Sequence, residues 1–174
     1  MAIWQYLMIV VPKNSIDDNY QCIFKNNQTK YLPKTKSLWT DFKGDIISLV
    51  SEMNLIIRKA DWGNDTFICW KGDVNINEDN DASISLNDNK TKIEEFHFRI
   101  DLRKESNITN TLQSILNLCE KHNLILIDLK GEIFEPKLED IFKSIKASNA
   151  TRFLSEPILF FEDLSKNSSD ETRA

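Results

Sequence analysis

A chain of 174 residues, 41% hydrophobic and 28% charged, has an ordinary globular composition and the length of one domain. Such a chain buries roughly 70% of the surface it exposes when unfolded, so its core needs no disulfide scaffold. A net charge of −5 argues against a non-specific nucleic-acid binder, because displacing counterions from phosphates takes a basic face.

Residues 2–11 read as a strand that stops at Pro12. Trp4, Tyr6, Met8 and Val10 share one face, and Ile3, Leu7, Ile9 and Val11 share the other. A strand apolar on both faces belongs in the middle of a covered sheet. Tyr20–Phe24 is a short strand candidate, and residues 25–36 read as a polar, basic loop around Pro33. Ser37 is placed to cap a helix to about Met53, with Leu38, Phe42, Ile46, Leu49, Val50 and Met53 on one stripe. Asn54–Ala60 reads as extended, and Thr66–Lys71, rich in aromatic and β-branched residues, as a strand. Residues 72–92 read as a long polar loop or hairpin, with Ala82–Leu86 a weak strand.

Ile93–Arg103 alternates cleanly: Phe96, Phe98, Ile100 and Leu102 point one way, and Glu95, His97, Arg99, Asp101 and Arg103 the other. A helix is predicted over Asn110–His122, a strand over Asn123–Leu129, and a turn at Lys130-Gly131. Pro136 opens a helix to about Ser148, and Pro157 a last one to Leu164. Residues 165–174 lack an apolar anchor and are predicted to be a disordered tail after a single domain spanning 1–164. The order of strong elements, strand, helix, strand, strand, helix, strand, predicts an α+β fold. Its sheet is mainly antiparallel, arranged on the ferredoxin-like βαββαβ plan with extra C-terminal helices. Those helices are expected to cover part of the second face of the first strand.

Cys22, Cys69 and Cys119 are odd in number and show no C-x-x-C spacing, so neither a disulfide framework nor a zinc site is predicted. Each sits in an apolar run as a small buried hydrophobe. The opening Met-Ala-Ile-Trp-Gln-Tyr has no basic region leading into an apolar one, and no apolar run approaches about 18 residues. The expected compartment is the cytoplasm. Gly44, Gly63, Gly72 and Gly131 are scattered and form no phosphate cradle. The oxygen-rich segment Asn77-Glu78-Asp79-Asn80-Asp81 lacks the spacing of a calcium loop and reads as a solvated charge run. No metal, cofactor or catalytic residue is predicted.

The densest functional signal lies in residues 61–81. Trp62 and Trp70 stand among Asp61, Asp65, Asp73, Glu78, Asp79 and Asp81. Tryptophan supplies much of the energy at protein contacts, and carboxylates steer a basic partner toward them. Trp70 alternates with Ile68 and Thr66, which also suits a core position; Trp62, between Asp61 and Gly63, has a turn-like context that favours exposure. Arg99, Asp101 and Arg103 form a second candidate surface on the polar face of their strand.

Four pieces carry a resemblance: Ile3-Trp4-Gln5-Tyr6 with Val11-Pro12; Trp70-Lys71-Gly72-Asp73; Phe98-Arg99-Ile100-Asp101-Leu102-Arg103; and Ser148-Asn149-Ala150-Thr151-Arg152-Phe153-Leu154 with Glu156-Pro157. Together they span residues 3–160, and the chain resembles small bacterial immunity proteins of polymorphic toxin systems, of the contact-dependent, type VI or Rhs-associated kinds. The resemblance implies a stoichiometric inhibitor whose partner is a cognate toxin C-terminal domain. An acidic inhibitor suits a nuclease toxin, whose basic cleft binds polyanions. Two other readings stand beside it. One is a small enzyme using His97 with Asp101 or Glu95 as a general base. The other is an adaptor that assembles through the apolar segment Ile158–Phe161.

Overall fold

The computed structural model describes residues 2–16, 35–76 and 78–170. The Tyr20–Phe24 strand, Cys22 and the loop around Pro33 lie outside the described residues. The fold is α+β, with a seven-stranded antiparallel sheet and five α-helices among the described residues. The strands are β1 (Gln5–Pro12), β2 (Lys59–Gly63), β3 (Phe67–Lys71), β4 (Asp81–Leu86), β5 (Ile93–Asp101), β6 (Leu124–Ile127) and β7 (Ile133–Phe134). The helices are α1 (Ile46–Ile56), α2 (Gln113–Lys121), α3 (Leu138–Lys146), α4 (Asn149–Ser155) and α5 (Pro157–Asp170). Strand order is β2-β3-β4-β5-β1-β6-β7, and every neighbouring pair is antiparallel. The sheet has more strands than the four of the ferredoxin-like plan, and that finer expectation is not confirmed by it.

β1 lies between β5 and β6, and all its residues are buried, as a strand apolar on both faces demands. On one face Met8 and Val10 join Phe96, Phe98 and Ile100 of β5, Ile84 of β4 and Trp70 of β3. Leu49 and Met53 of α1, Ile115, Leu116 and Cys119 of α2, and Ile141 and Ile145 of α3 close this core. Each such aliphatic side chain, once fully buried, contributes about 1.5–3 kcal/mol. On the other face Leu7, Ile9 and Val11 pack with Ile125, Ile127 and Leu38, and Ile16 lies against them. Of the C-terminal helices expected on this face, α3 packs in the first core, while Ala150 of α4 and Phe160 of α5 line a cleft with Ile3 and Leu7 at the start of β1.

Other differences have local causes. The helix expected from Ser37 starts at Ile46, because Asp45 is the residue that caps it, accepting the Ile47 N–H at 2.9 Å. Gly44 beside it disfavours an upstream extension. Ser37 instead lies in a short 3-10 turn, Lys36–Trp39. The weak strand at Ala82–Leu86 proves to be paired on both sides, by β3 and β5. A π-helical stretch, Asn107–Leu112, leads into α2. The helix expected from Pro136 to Ser148 ends at Lys146. Ser148 then caps α4 by accepting the Thr151 N–H at 3.2 Å. Helix α5 continues to Asp170, past the predicted end at Leu164.

Candidate functional site

The first candidate surface is the β2–β3 hairpin at one edge of the sheet. Its turn is built by Asn64, whose Oδ1 accepts the N–H groups of Thr66 and Phe67 at 2.8 Å and the Thr66 hydroxyl at 2.9 Å. Gly63 has φ +99°, and a Cβ there would sit 2.4 Å from the Phe67 carbonyl oxygen. No side chain fits that geometry without moving the hairpin. The tight turn holds Trp62 and Phe67 outward: they are 55% and 41% exposed. Trp62 thus stands on an edge strand, not in the turn that its sequence context suggested. Burial first, and the Asp81 charge second, raise the pKa of the Cys69 thiol, with the Trp62 indole opposing the rise.

The carboxylates singled out in the sequence fall into two groups. Asp61, Asp65 and Asp73 are exposed. Asp65 pairs with Lys90 at 2.6 Å, and Asp73 accepts the Asn75 N–H at 2.9 Å. Glu78 is half-buried. Asp79, Asp81 and Asp101 belong instead to a folded-in network on the polar side of the sheet. Lys71 pairs with Asp79 and lies 3.4 Å from Asp81, while Arg99 pairs with Asp81 at 2.6 Å. Gln5 donates to the Asp79 carbonyl and, at 3.2 Å, to Asp81, and the Trp4 indole donates to Asp79 at 3.1 Å. Arg103 grips Asp101 through Nε at 2.9 Å and a terminal nitrogen at 2.7 Å, with its guanidinium 4.5 Å from the Trp4 ring centroid.

Three bases thus face three acids. Such a cluster is internally neutral and adds little to long-range steering. Of the residues expected at a contact surface here, Asp79 and Arg99 are half-buried and Arg103 is exposed, so only Asp81 and Asp101 are withdrawn from it. Asp81 and Asp101 are buried, and their charges are spent on neighbours within the fold. Trp70, the other expected anchor, is 1% exposed and its indole donates to Asn54 at 2.8 Å, so it offers no surface to a partner.

His97 lies on the same polar side. The carboxylates proposed for it lie elsewhere: Asp101 is held by Arg103, and Glu95 stands opposite Ser85. Opposite His97 in the register is Ser83, whose hydroxyl lies 3.0 Å from Nε2. Burial, then the Arg99 charge, lower the imidazole pKa against the pull of Asp81. The ring is therefore neutral at pH 7, able to exchange a hydrogen bond with Ser83. Sequence reasoning missed this pair: the alternation Asp81-Ser83-Ser85 against Ala82-Ile84-Leu86 puts Ser83 on a polar face but does not say which residue of β5 it meets.

At the C-terminal end, Ile158, Leu159 and Phe161 of the adaptor reading are 74%, 51% and 55% exposed. Among the described residues no group of three or more metal-ligating side chains occurs, and no helix is long and apolar enough to cross a membrane. Compared with known proteins, the chain has no significant match to a family model, a curated sequence or a solved structure.

Proposed function

We propose that this chain is a protein-binding module of the immunity type, which neutralises a cognate toxin domain by occupying it, with the β2–β3 hairpin as the contact edge. One observation carries the reading: Trp62, on edge strand β2, and Phe67, at the start of β3, are held half out of the fold on a hairpin that also carries exposed Asp61 and Asp65. An edge strand has backbone groups free to pair with another chain. Exposed aromatics supply the contact energy, and the surrounding carboxylates favour approach by a basic partner. The toxin identity rests on the resemblance of the four sequence pieces. Co-expression with the toxin encoded beside this gene tests it: cell survival and a complex that persists through gel filtration are expected, and death of the cells or separate elution of the two proteins sinks it.

The double variant Trp62→Ala/Phe67→Ala is expected to weaken that complex by about 2 kcal/mol or more. Its midpoint of urea unfolding should move less than that of a core truncation, because both rings are already about half exposed. A complex of unchanged affinity places the interface elsewhere.

A second reading, a small enzyme, is favoured by the Ser83–His97 contact alone. His97→Gln keeps a hydrogen-bonding group opposite Ser83 and removes the titrating ring. Under the binding reading this variant protects cells as well as the parent does; complete loss of protection with the complex intact would favour catalysis.

A further inference from the structure

Away from the hairpin, a cleft of about 500 Å³ opens between the start of β1, the end of β6 and the helices α3 to α5. That volume is typical of small-molecule sites. Ile3, Leu129 and Phe160 give it apolar walls, and Tyr6, Ser144 and Asp128 give it a polar side. These three form a directed chain: the Tyr6 hydroxyl donates to Ser144 Oγ at 2.7 Å, and Ser144 donates to Asp128 Oδ2 at 2.9 Å. Asp128 Oδ1 accepts the N–H groups of Lys130 and Glu132, at 2.8 and 3.0 Å.

Both hydroxyl protons are thus committed toward the carboxylate. What Tyr6, Ser144 and Asp128 Oδ2 have left to offer is lone pairs. Asp128 is 4% exposed, and none of the ion pairs among the described residues includes it. Lys130 lines the same cleft, but it is exposed and forms no ion pair with Asp128. A buried carboxylate without a cation favours a ligand that brings one. The Tyr6 hydroxyl reports the same field. Its pKa is pushed up to about 12 by burial first, with the Asp128 and Glu132 charges adding to the rise and the Ser144 bond opposing it.

We propose that this cleft binds a small organic amine in its ammonium form. The apolar body lies against Ile3, Leu129 and Phe160, and the N–H donors face the Tyr6–Ser144–Asp128 chain. The site is independent of the hairpin and of the toxin reading.

Calorimetric titration of the full chain with n-pentylamine, n-pentanol and n-pentanoate tests it. Saturable binding of the amine, weaker binding of the alcohol by about tenfold, and none of the carboxylate are expected, since a charged hydrogen bond is worth about 1.5–3 kcal/mol. Asp128→Asn keeps the Oδ1 acceptor for the two backbone N–H groups and removes the charge; it should weaken the amine by about tenfold with the circular dichroism unchanged. Ala147→Leu narrows the cleft from an exposed position outside the hydroxyl chain and should weaken amine and alcohol alike. The Ala147→Leu result stands even if Asp128→Asn fails to fold. Pentanoate binding as tightly as the amine, amine affinity untouched by Ala147→Leu, or no saturable amine binding overturns the proposal. Tighter binding of Nα-acetyl-lysine methylamide than of pentylamine also overturns it, because the site would then suit a lysine of a protein.

Discussion

Asp101→Ala is expected to destabilise the fold by about 3 kcal/mol, read as a lowered midpoint of urea unfolding with an unchanged slope. Asp101 is 0% exposed and is the most heavily used acceptor of the polar network. Its carboxylate takes the N–H of Asp79 at 3.1 Å, the N–H of Arg103 at 3.0 Å, and two nitrogens of the Arg103 guanidinium. Its backbone is tied in as well, its N–H to Asn80 Oδ1 at 2.9 Å and its carbonyl to Asn107 Nδ2 at 3.1 Å. Alanine leaves the backbone ties in place and orphans the donors aimed at the carboxylate. Asn107 adds to the sensitivity of this corner, since its own Oδ1 is buried without a partner.

The same residue sets an acid limit. Burial on its own would raise the Asp101 pKa; the Arg103 side chain, the Arg103 and Asp79 N–H groups and the Arg103 charge outweigh it and hold the carboxyl below its usual value. A carboxyl depressed in the folded state contributes its stability above the unfolded pKa, about 3.9. It loses that contribution as pH falls through the folded value. The parent should therefore lose stability more steeply than Asp101→Ala as the pH drops below about 4. Parallel stability–pH curves for the two proteins would remove Asp101 from the account.

Trp70→Ala is expected to cost about 3–5 kcal/mol of stability. The ring is fully buried in β3, beside Ala82 in the register, and its indole reaches across to Asn54 in α1. Truncation opens a cavity between sheet and helix and leaves the Asn54 carbonyl without its donor. The effect on partner binding should follow from lost folding alone, so that at temperatures where the variant is fully folded its affinity equals the parent's. This separates the two tryptophans experimentally: Trp70 is expected to carry the fold, and Trp62, on the proposed reading, contact. A Trp70→Ala protein with parental stability would mean that the ring is not packed as described.

Much of the fold was legible from periodicity. The doubly apolar run at Leu7–Val11 announced a central strand, and the alternation of Phe96, Phe98 and Ile100 with Glu95, His97 and Arg99 announced β5 with its two unlike faces. Elements shaped by pairing were harder to see. β4 looks weak because its second face is polar, yet it is flanked by strands on both sides. β7 has two residues and exists only through its bonds to β6. The candidate site shows the same division. Which of Trp62 and Trp70 is exposed could be read from their neighbours in the chain. That Asp79 meets Lys71 and Trp4, or that Ser83 meets His97, depends on register, which no local pattern contains. Counting carboxylates in residues 61–81 overstated the acidic surface because Asp79 and Asp81 are neutralised by Lys71 and by Arg99, the latter from β5.

The central place of β1 has a consequence for synthesis. Its partners, residues 93–101 and 124–127, leave the ribosome long after it does. Until then an oily ribbon with no mate is presented to the cell, and the sheet cannot close around it. Contacts so distant along the chain make for slow folding and a long window for aggregation. A nascent chain arrested before residue 93 should therefore be held by chaperones, and one released after residue 127 should fold free of them.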